Sequence, residues 1–269
     1  MNTLQLRFSI EEVAALLAVS GWSEMGQALL VSNFGELSSD ELRGRMIAAN
    51  HSLYARGHLV LKENKQQVAE ETFPVIAALG QAKRTIRASK SAEFGEDLRV
   101  YYFYQDRWTE NAVQDGVVYT FQSERSPEDI EAALSAFFTP VFLGWRKSEP
   151  VPLANTLLTG LPLADRRSPE AVLAFINQTA SGHPYAQALA QDFAGASWRG
   201  SLVWVESESA GSLGMRGTLL VQGAERLWLI NSVTVDGEPR MQAQLCSLAQ
   251  FRQHIHDFVH SDQAPRREI

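Results

Sequence analysis

The chain has 269 residues, with 24 Lys and Arg against 31 Asp and Glu and a formal net charge of −7. An apolar share of 45% and a charged share of 20% exclude disorder as the dominant state. The acidic balance disfavours a protein that coats nucleic acid or anionic membrane, and the single cysteine, Cys246, excludes an intramolecular disulfide and a cysteine-based zinc ribbon.

Met1 to Phe8 shows no basic region followed by an apolar core, so no secretory leader is expected. Ser9 reads as an N-cap and Glu12 completes a capping box. Val13, Leu16 and Leu17 then recur at helical spacing up to a stop at Gly21. A second helix is expected over Glu24 to Leu30. A third, capped by Ser39 or Asp40, runs through Leu42, Met46, Ala49 and Leu53 to Ala55 and ends at Gly57. His58 to Lys62 predicts a strand. Lys65 to Leu79 predicts a helix that Pro74 kinks or restarts.

After Gly80 the pattern turns to strands: Thr85 to Ser89, Leu98 to Tyr104, Trp108 to Gln114 and Val117 to Ser123. Asp115-Gly116 joins the last two as a hairpin, because such a turn needs positive φ. Ser126-Pro127-Glu128-Asp129 opens a helix with an apolar stripe of Ile130, Ala133, Leu134, Phe137 and Phe138. The most apolar stretch, Ala132 to Trp145, is broken by Ser135, Thr139 and Pro140 and falls short of the roughly 18 residues of a membrane span.

Phe142 to Arg167 has three prolines and no period, and reads as a connector. Ser168-Pro169-Glu170 opens another helix, and a further one covers Tyr185 to Phe193. Strands follow at Ser201 to Glu206, Gly217 to Gln222, Leu227 to Val233 and Arg240 to Cys246, with turns at Gly223 and Asp236-Gly237. Leu248 to Val259 is a closing helix, and Ser261 to Ile269 a polar tail.

The two halves follow one plan of helices, about four antiparallel strands and one helix. Laid on each other from Ser126 and Ser247, the closing helices match Ile130 with Phe251, Leu134 with Ile255, Phe137 with Phe258 and Phe138 with Val259. The opening helices Ser9 to Ala18 and Ser168 to Asn177 also correspond. An internal duplication is therefore expected: a first half 1–140, a connector 141–167, a second half 168–260 and a tail 261–269. Leu37 to Ala78 is an insertion in the first half. Two such sheets either join or pack face to face, with helices covering the apolar side.

Catalytic motifs are missing: the sequence has no Gly-x-Ser-x-Gly elbow, HExxH or Walker loop. Gly211 to Gly217 has spaced glycines but opens no helix, and reads as a loop. Carboxylates such as Glu93, Glu96, Asp97, Glu206 and Glu208 could pair, which spacing cannot show. Of the six histidines, His256 and His260 stand at i, i+4 beside Asp257, whereas His254 and His256 point apart. A solvated polar face is the default for them, so no metal and no cofactor are expected. The six tryptophans read mainly as core, with one or two available to anchor a protein interface. Helix, Arg56-Gly57 and strand over Ser38 to Lys62 is a winged-helix pattern in which Arg43, Arg45, Arg56 and Lys62 would meet phosphates. The local charge is balanced by Glu36, Asp40, Glu41 and Glu63, which disfavours nucleic acid.

Phe8 to Leu17 and Ala48 to Val60, the latter carrying Leu-Tyr-Ala-Arg-Gly-His-Leu-Val, resemble the corresponding stretches of the EspG proteins of type VII secretion. The order of strands, the Pro127-Glu128-Asp129-Ile130 helix, Asp236-Gly237 and the closing helix are similar too; Val141 to Arg167 is not. The resemblance implies an α+β fold of quasi-two-fold build, with a central antiparallel sheet flanked by helices. It further implies a non-enzymatic cytoplasmic chaperone or adaptor that holds a helical export substrate soluble. It carries over no catalytic residues and no mapped partner-binding residues. The alternative expectation is a winged-helix transcriptional regulator.

Overall fold

The structure, a computed structural model, describes residues 5–92, 95–114, 118–142, 149–154, 166, 168–207, 213–235 and 237–260. In chain order the first elements are β1 (Gln5–Ser9), α1 (Ile10–Val19), α2 (Ser23–Phe34), α3 (Ser39–Ala55), β2 (Leu59–Lys62), β3 (Lys65–Val68) and α4 (Phe73–Gln81). Four strands follow, β4 (Arg84–Ala92), β5 (Gly95–Tyr104), β6 (Arg107–Gln114) and β7 (Val118–Arg125), then α5 (Pro127–Phe138) and β8 (Val151–Leu153). The rest comprises α6 (Pro169–Ala180), α7 (Ala186–Ala194), β9 (Trp198–Ser207), β10 (Leu213–Gln222), β11 (Leu227–Val235), β12 (Glu238–Cys246) and α8 (Leu248–His260).

The fold is α+β. Ten strands make an antiparallel sheet in the order β1-β7-β6-β5-β4-β9-β10-β11-β12-β8, flanked by helices, and β2 and β3 form a separate hairpin. By packing, the chain divides into two compact units. One takes the described residues of 1–85, 98–126 and 206–213; the other takes those of 86–97, 127–205 and 214–269.

In the first unit, Ser9 Oγ accepts from the Glu12 N–H at 3.2 Å, and the Glu12 carboxylate accepts from the Ser9 N–H at 2.9 Å. That reciprocal cap satisfies two amides a helix start would otherwise leave unpaired. Gly21, at φ +93°, follows the end of α1. The helix is buried almost all round, from Ile10 to Leu17, and is the centre of a core with Phe8, Leu53, Ile76 and Phe121. Helix α2 crosses it closely: a Cβ on Gly26 would lie 2.7 Å from the Ala14 carbonyl oxygen. Helix α3 is capped by Ser38, one residue before the predicted position, because Glu41 then stands where it can close the box.

Three readings of local pattern are corrected. Lys65 to Leu79 is not one helix. Glu63 and Asn64, at φ +51° and +60°, turn the chain back, and β3 pairs on β2 with Leu59 opposite Val68 and Lys62 opposite Lys65. A turn with two left-handed residues matches the twist of a hairpin. Pro74 then sits in the first turn of α4, where its missing N–H costs nothing. The connector Phe142 to Arg167 also holds a strand, β8, which pairs with Met241 to Ala243. It lies at the end of the strand order, the place where Pro152 can sit in a strand without removing a ladder bond. The glycine-rich stretch is corrected in part: Leu213 to Gly217 belong to β10, while residues 211–212 lie outside the described residues.

The second unit has its own core, with Val151, Val172, Ile176, Leu189, Phe193, Trp228, Ile230 and Leu245 among its members. Ser168 caps α6 by accepting from the Ala171 N–H at 3.2 Å. Helix α5 packs against α8; Ile130, Leu134 and Phe138 are buried on one, and Phe251, Ile255, Phe258 and Val259 on the other. Ala133 and Phe137, both assigned to the apolar stripe of α5, are only half-buried.

Among the described residues an opening strand, two helices, four strands and a helix occur twice in the chain order, with α3, β2, β3 and α4 intervening the first time. Each opening strand pairs with the last of its four, β1 with β7 and β8 with β12. Asp115-Gly116 lies outside the described residues, as does the tail 261–269, whereas Gly237 takes φ +81° between β11 and β12. Among the described residues no helix is long and apolar enough to cross a membrane.

Candidate functional site

The buried carboxylates are the natural starting point, since acid–base chemistry needs one with a displaced pKa and room for a substrate. Glu12 on α1 is buried, yet it is saturated. Ser52 Oγ donates to it at 2.6 Å, Arg56 Nη1 reaches both its oxygens at 2.9 Å, and the Ser9 amide takes a further lone pair. Burial is the largest single influence on its carboxyl and opposes ionisation. The Ser52 hydroxyl, the Ser9 amide and the Arg56 guanidinium together outweigh it and hold the pKa below the usual range. A cleft of 250 Å³ beside it is lined by Ser9, Glu11, Glu12, Arg45, Ala49 and Ser52. Arg45 in that lining is paired to Glu11 at 2.7 Å.

Glu110 on β6 is the second such group. Arg99 lies against one of its oxygens, Arg125 Nη2 is 3.1 Å from the other, and the Tyr101 hydroxyl is directed at it across the ladder from β5. Burial and the Glu110 charge push the Tyr101 phenol well up, so it stays a neutral donor. In the second unit Asp192 on α7 accepts from Trp228 Nε1 at 2.8 Å and from Arg226 Nη2 at 3.0 Å. Each of the three carboxylates is thus enclosed by guanidinium, indole or hydroxyl donors. Such an arrangement staples elements together.

The histidines separate by environment. His58 is buried, 2.9 Å from the Thr72 hydroxyl and edge-on to Phe8; burial and then the Arg56 charge push its pKa down. His254 Nε2 lies 2.9 Å from Thr218 Oγ1, a spacing that invites comparison with a nucleophile and its base. The Thr218 proton goes instead to Asn231 Oδ1 at 2.6 Å. The Thr218 oxygen therefore accepts from the imidazole, and the pair is a structural link. His256 and His260 do share a face of α8, and both meet Glu131 of α5. His254 points away from them, as its i, i+2 offset requires. Cys246 and Asp257 do not join: Cys246 is buried, its thiol pushed up to about 12 by burial, and Asp257 Oδ1 accepts from Gln253.

The other predicted residues are brought into pairs rather than into a site. Of the winged-helix set, Arg45 is held by Glu11, Arg56 by Glu12 and Lys62 by Glu70. Glu206 is 3.9 Å from Arg84, Glu96 and Asp97 are exposed on β5, and Glu93 and Glu208 lie outside the described residues. Trp108, Trp198, Trp204 and Trp228 are core, Trp22 is half-buried, and Trp145 lies outside the described residues. The exposed large apolar side chains are others, among them Met25, Val31, Ile47, Leu61 and Phe73 in the first unit. Glu131 was the residue that sequence reasoning missed. A lone half-buried acid 125 residues from His256 carries no local signal of the partnership.

The same architecture is found in solved structures. The Mycobacterium tuberculosis type VII secretion system chaperone EspG5, solved in complex with a PE25–PPE41 dimer, aligns with a TM-score of 0.64. The alignment covers 98% of this chain and 99% of that one at 11% identity. At that identity the likeness is one of fold. A Bacillus halodurans structure named provisionally as an adenylate cyclase aligns at 12% identity over 75% of this chain and 90% of its own, but with a TM-score of 0.15 that carries no argument. No curated protein matches the chain. The resemblance to EspG thus holds for the fold, while the sequence itself matches a different family model over residues 5–192, and by that match the chain belongs to the family described as "Uncharacterised protein YfjC".

Proposed function

We propose that this protein is a non-enzymatic cytoplasmic chaperone or adaptor that binds another protein, holding a helical export substrate soluble before secretion. The observation that carries the reading is the fold likeness to a secretion chaperone over 98% of the chain. The internal pairing of Glu12, Glu110 and Asp192 supports it, because these groups spend hydrogen bonds inside the fold. The repeated element order, with β1 on β7 and β8 on β12, supports an internal duplication as the scaffold of that role, the second half opening at β8 inside the segment 141–167.

The test is co-expression of the full chain with small helical proteins encoded beside its gene. Light scattering after size exclusion should find a complex of defined stoichiometry, and the partner should be soluble only when the chain is present. Partners equally soluble alone would overturn the reading. So would salt-sensitive DNA binding abolished by substituting Arg43 and Arg45.

A further inference from the structure

We propose that Glu131, His256 and His260 form a binding site for a late first-row divalent metal ion of the zinc class. The three side chains each offer one ligand atom, and these atoms all lie within 4.8 Å of one another. Glu131 Oε1 is 3.0 Å from His256 Nδ1 and is also bonded to His260 Nε2, while the two imidazoles stand 4.3 Å apart, centroid to centroid. Tetrahedral zinc with nitrogen and oxygen ligands at about 2.0–2.2 Å needs its donor atoms roughly 3.3–3.6 Å apart. The cluster is therefore about one ångström from ligating geometry, and its exposed ends can make that adjustment.

The orientation of the cluster is built by the fold around it. Helix α8 turns Phe251, Ile255 and Phe258 into the core and sends His254 to Thr218. Arg216 Nη2 donates to the Asp257 and Phe258 carbonyls and so holds the last turn, the one that ends in His260. His256 and His260 at i, i+4 must then face α5, where Glu131 stands one position beyond the buried Ile130. Two imidazoles and one carboxylate are borderline donors that suit zinc better than calcium or magnesium, whose sites are made of oxygens.

In the hydrogen-bonded arrangement the ring nitrogens facing Glu131 carry protons. The metal takes their place. A charged ring releases its proton to solvent, a neutral ring moves it to the other nitrogen, and the carboxylate supplies the third donor. His256 and His260 keep 50% and 34% of their side-chain surface in solvent, which leaves a fourth position open to water or to a ligand from another molecule. The site stands independently of the chaperone reading.

The experiment uses the full chain without a polyhistidine tag, titrated with zinc in competition with a chromophoric chelator. One zinc per chain is expected. His260→Gln and Glu131→Gln should each weaken binding by at least about 10- to 100-fold, the range carried even by outer partners of a metal. His51→Gln, exposed on α3, should leave it unchanged. Far-UV circular dichroism checks that each variant is folded. Zinc should also raise the thermal midpoint of the wild type but not of the His256→Gln/His260→Gln double variant, because only a bridged α5–α8 pair is stabilised by the ion. A wild type that holds no more zinc than this double variant, or an affinity indifferent to Glu131→Gln, would overturn the proposal.

Discussion

The close approach of Gly223 to Asp192 offers a quantitative test of how the second unit is held. A Cβ at position 223 would lie 2.2 Å from Asp192 Oδ1, 2.4 Å from Cγ and 2.8 Å from Cβ. Gly223 is not at positive φ, so the obstacle is steric. Asp192 cannot step aside, because Trp228 Nε1 and Arg226 hold both of its oxygens. Gly223→Ala should therefore cost about 2 kcal/mol, within the range for overpacking. Asp192→Ala removes the acceptor of the Trp228 N–H and the carboxylate that faces the Arg226 guanidinium. Arg226 keeps 20% of its side-chain surface in solvent, so the loss is set at about 3 kcal/mol, the lower end for a broken buried pair. The two effects must not add. Once the carboxylate is gone the two shortest approaches are relieved but the alanine methyl still lies 2.8 Å from the Cβ at 192, so the double variant should lose about 4 kcal/mol, a coupling of about 1 kcal/mol. Urea unfolding followed by far-UV circular dichroism measures all four corners of the cycle. Additivity within about 0.5 kcal/mol would refute the argument, since it would mean that Asp192 is free to move away.

Three further outcomes follow from the buried groups. His58 has a lowered pKa in the folded chain, so the unfolded chain takes up its proton first. The stability His58 contributes is whole above the ordinary histidine value of about 6.5 and is lost as pH falls below it. The drop in urea midpoint from pH 7.5 to pH 5.5 should be smaller in His58→Gln than in wild type, and an equal drop would contradict this. Glu12→Ala should cost about 2 kcal/mol, and more than Arg56→Ala, because it takes the acceptor from the Ser9 amide, the Ser52 hydroxyl and Arg56 at once, whereas Arg56→Ala leaves the carboxylate its bonds to Ser9 and Ser52. Its lowered pKa means that the advantage over the variant is present at neutral pH and disappears as pH falls through the acidic range; comparison of urea midpoints across that range checks it. Cys246, buried and with its thiol pushed up to about 12, should react with a thiol reagent at pH 8 far more slowly in the native chain than in urea. Comparable rates would place the thiol at the surface.

Much of the fold was legible because its signals are short. Ser9 with Glu12 and Ser168 with Pro169 announce helix starts within four residues. The runs that became β5, β6 and β7 alternate in a way that only strands use. The α+β class with a central antiparallel sheet could be inferred from that order of elements together with the family resemblance. Where pattern misled, the deciding interaction lay outside the window. Lys65 to Val68 carries no strand alternation and is a strand because Glu63 and Asn64 turn it onto β2. Val151 to Leu153 is a strand only by pairing with residues some ninety positions later. Sequence alone thus determined the local elements, the apolar stripes of the closing helices and the lack of a catalytic motif, since caps and periodicities are local properties of the chain. Tertiary structure alone decided which charges are spent on one another and which converge. Arg56 meets Glu12, Asp192 meets Trp228, and Glu131 meets His256 and His260 because core packing sets how each helix is rotated about its axis. The net charge of −7 says nothing of those pairings. A side chain's partner is fixed by the packing of elements far apart in the chain.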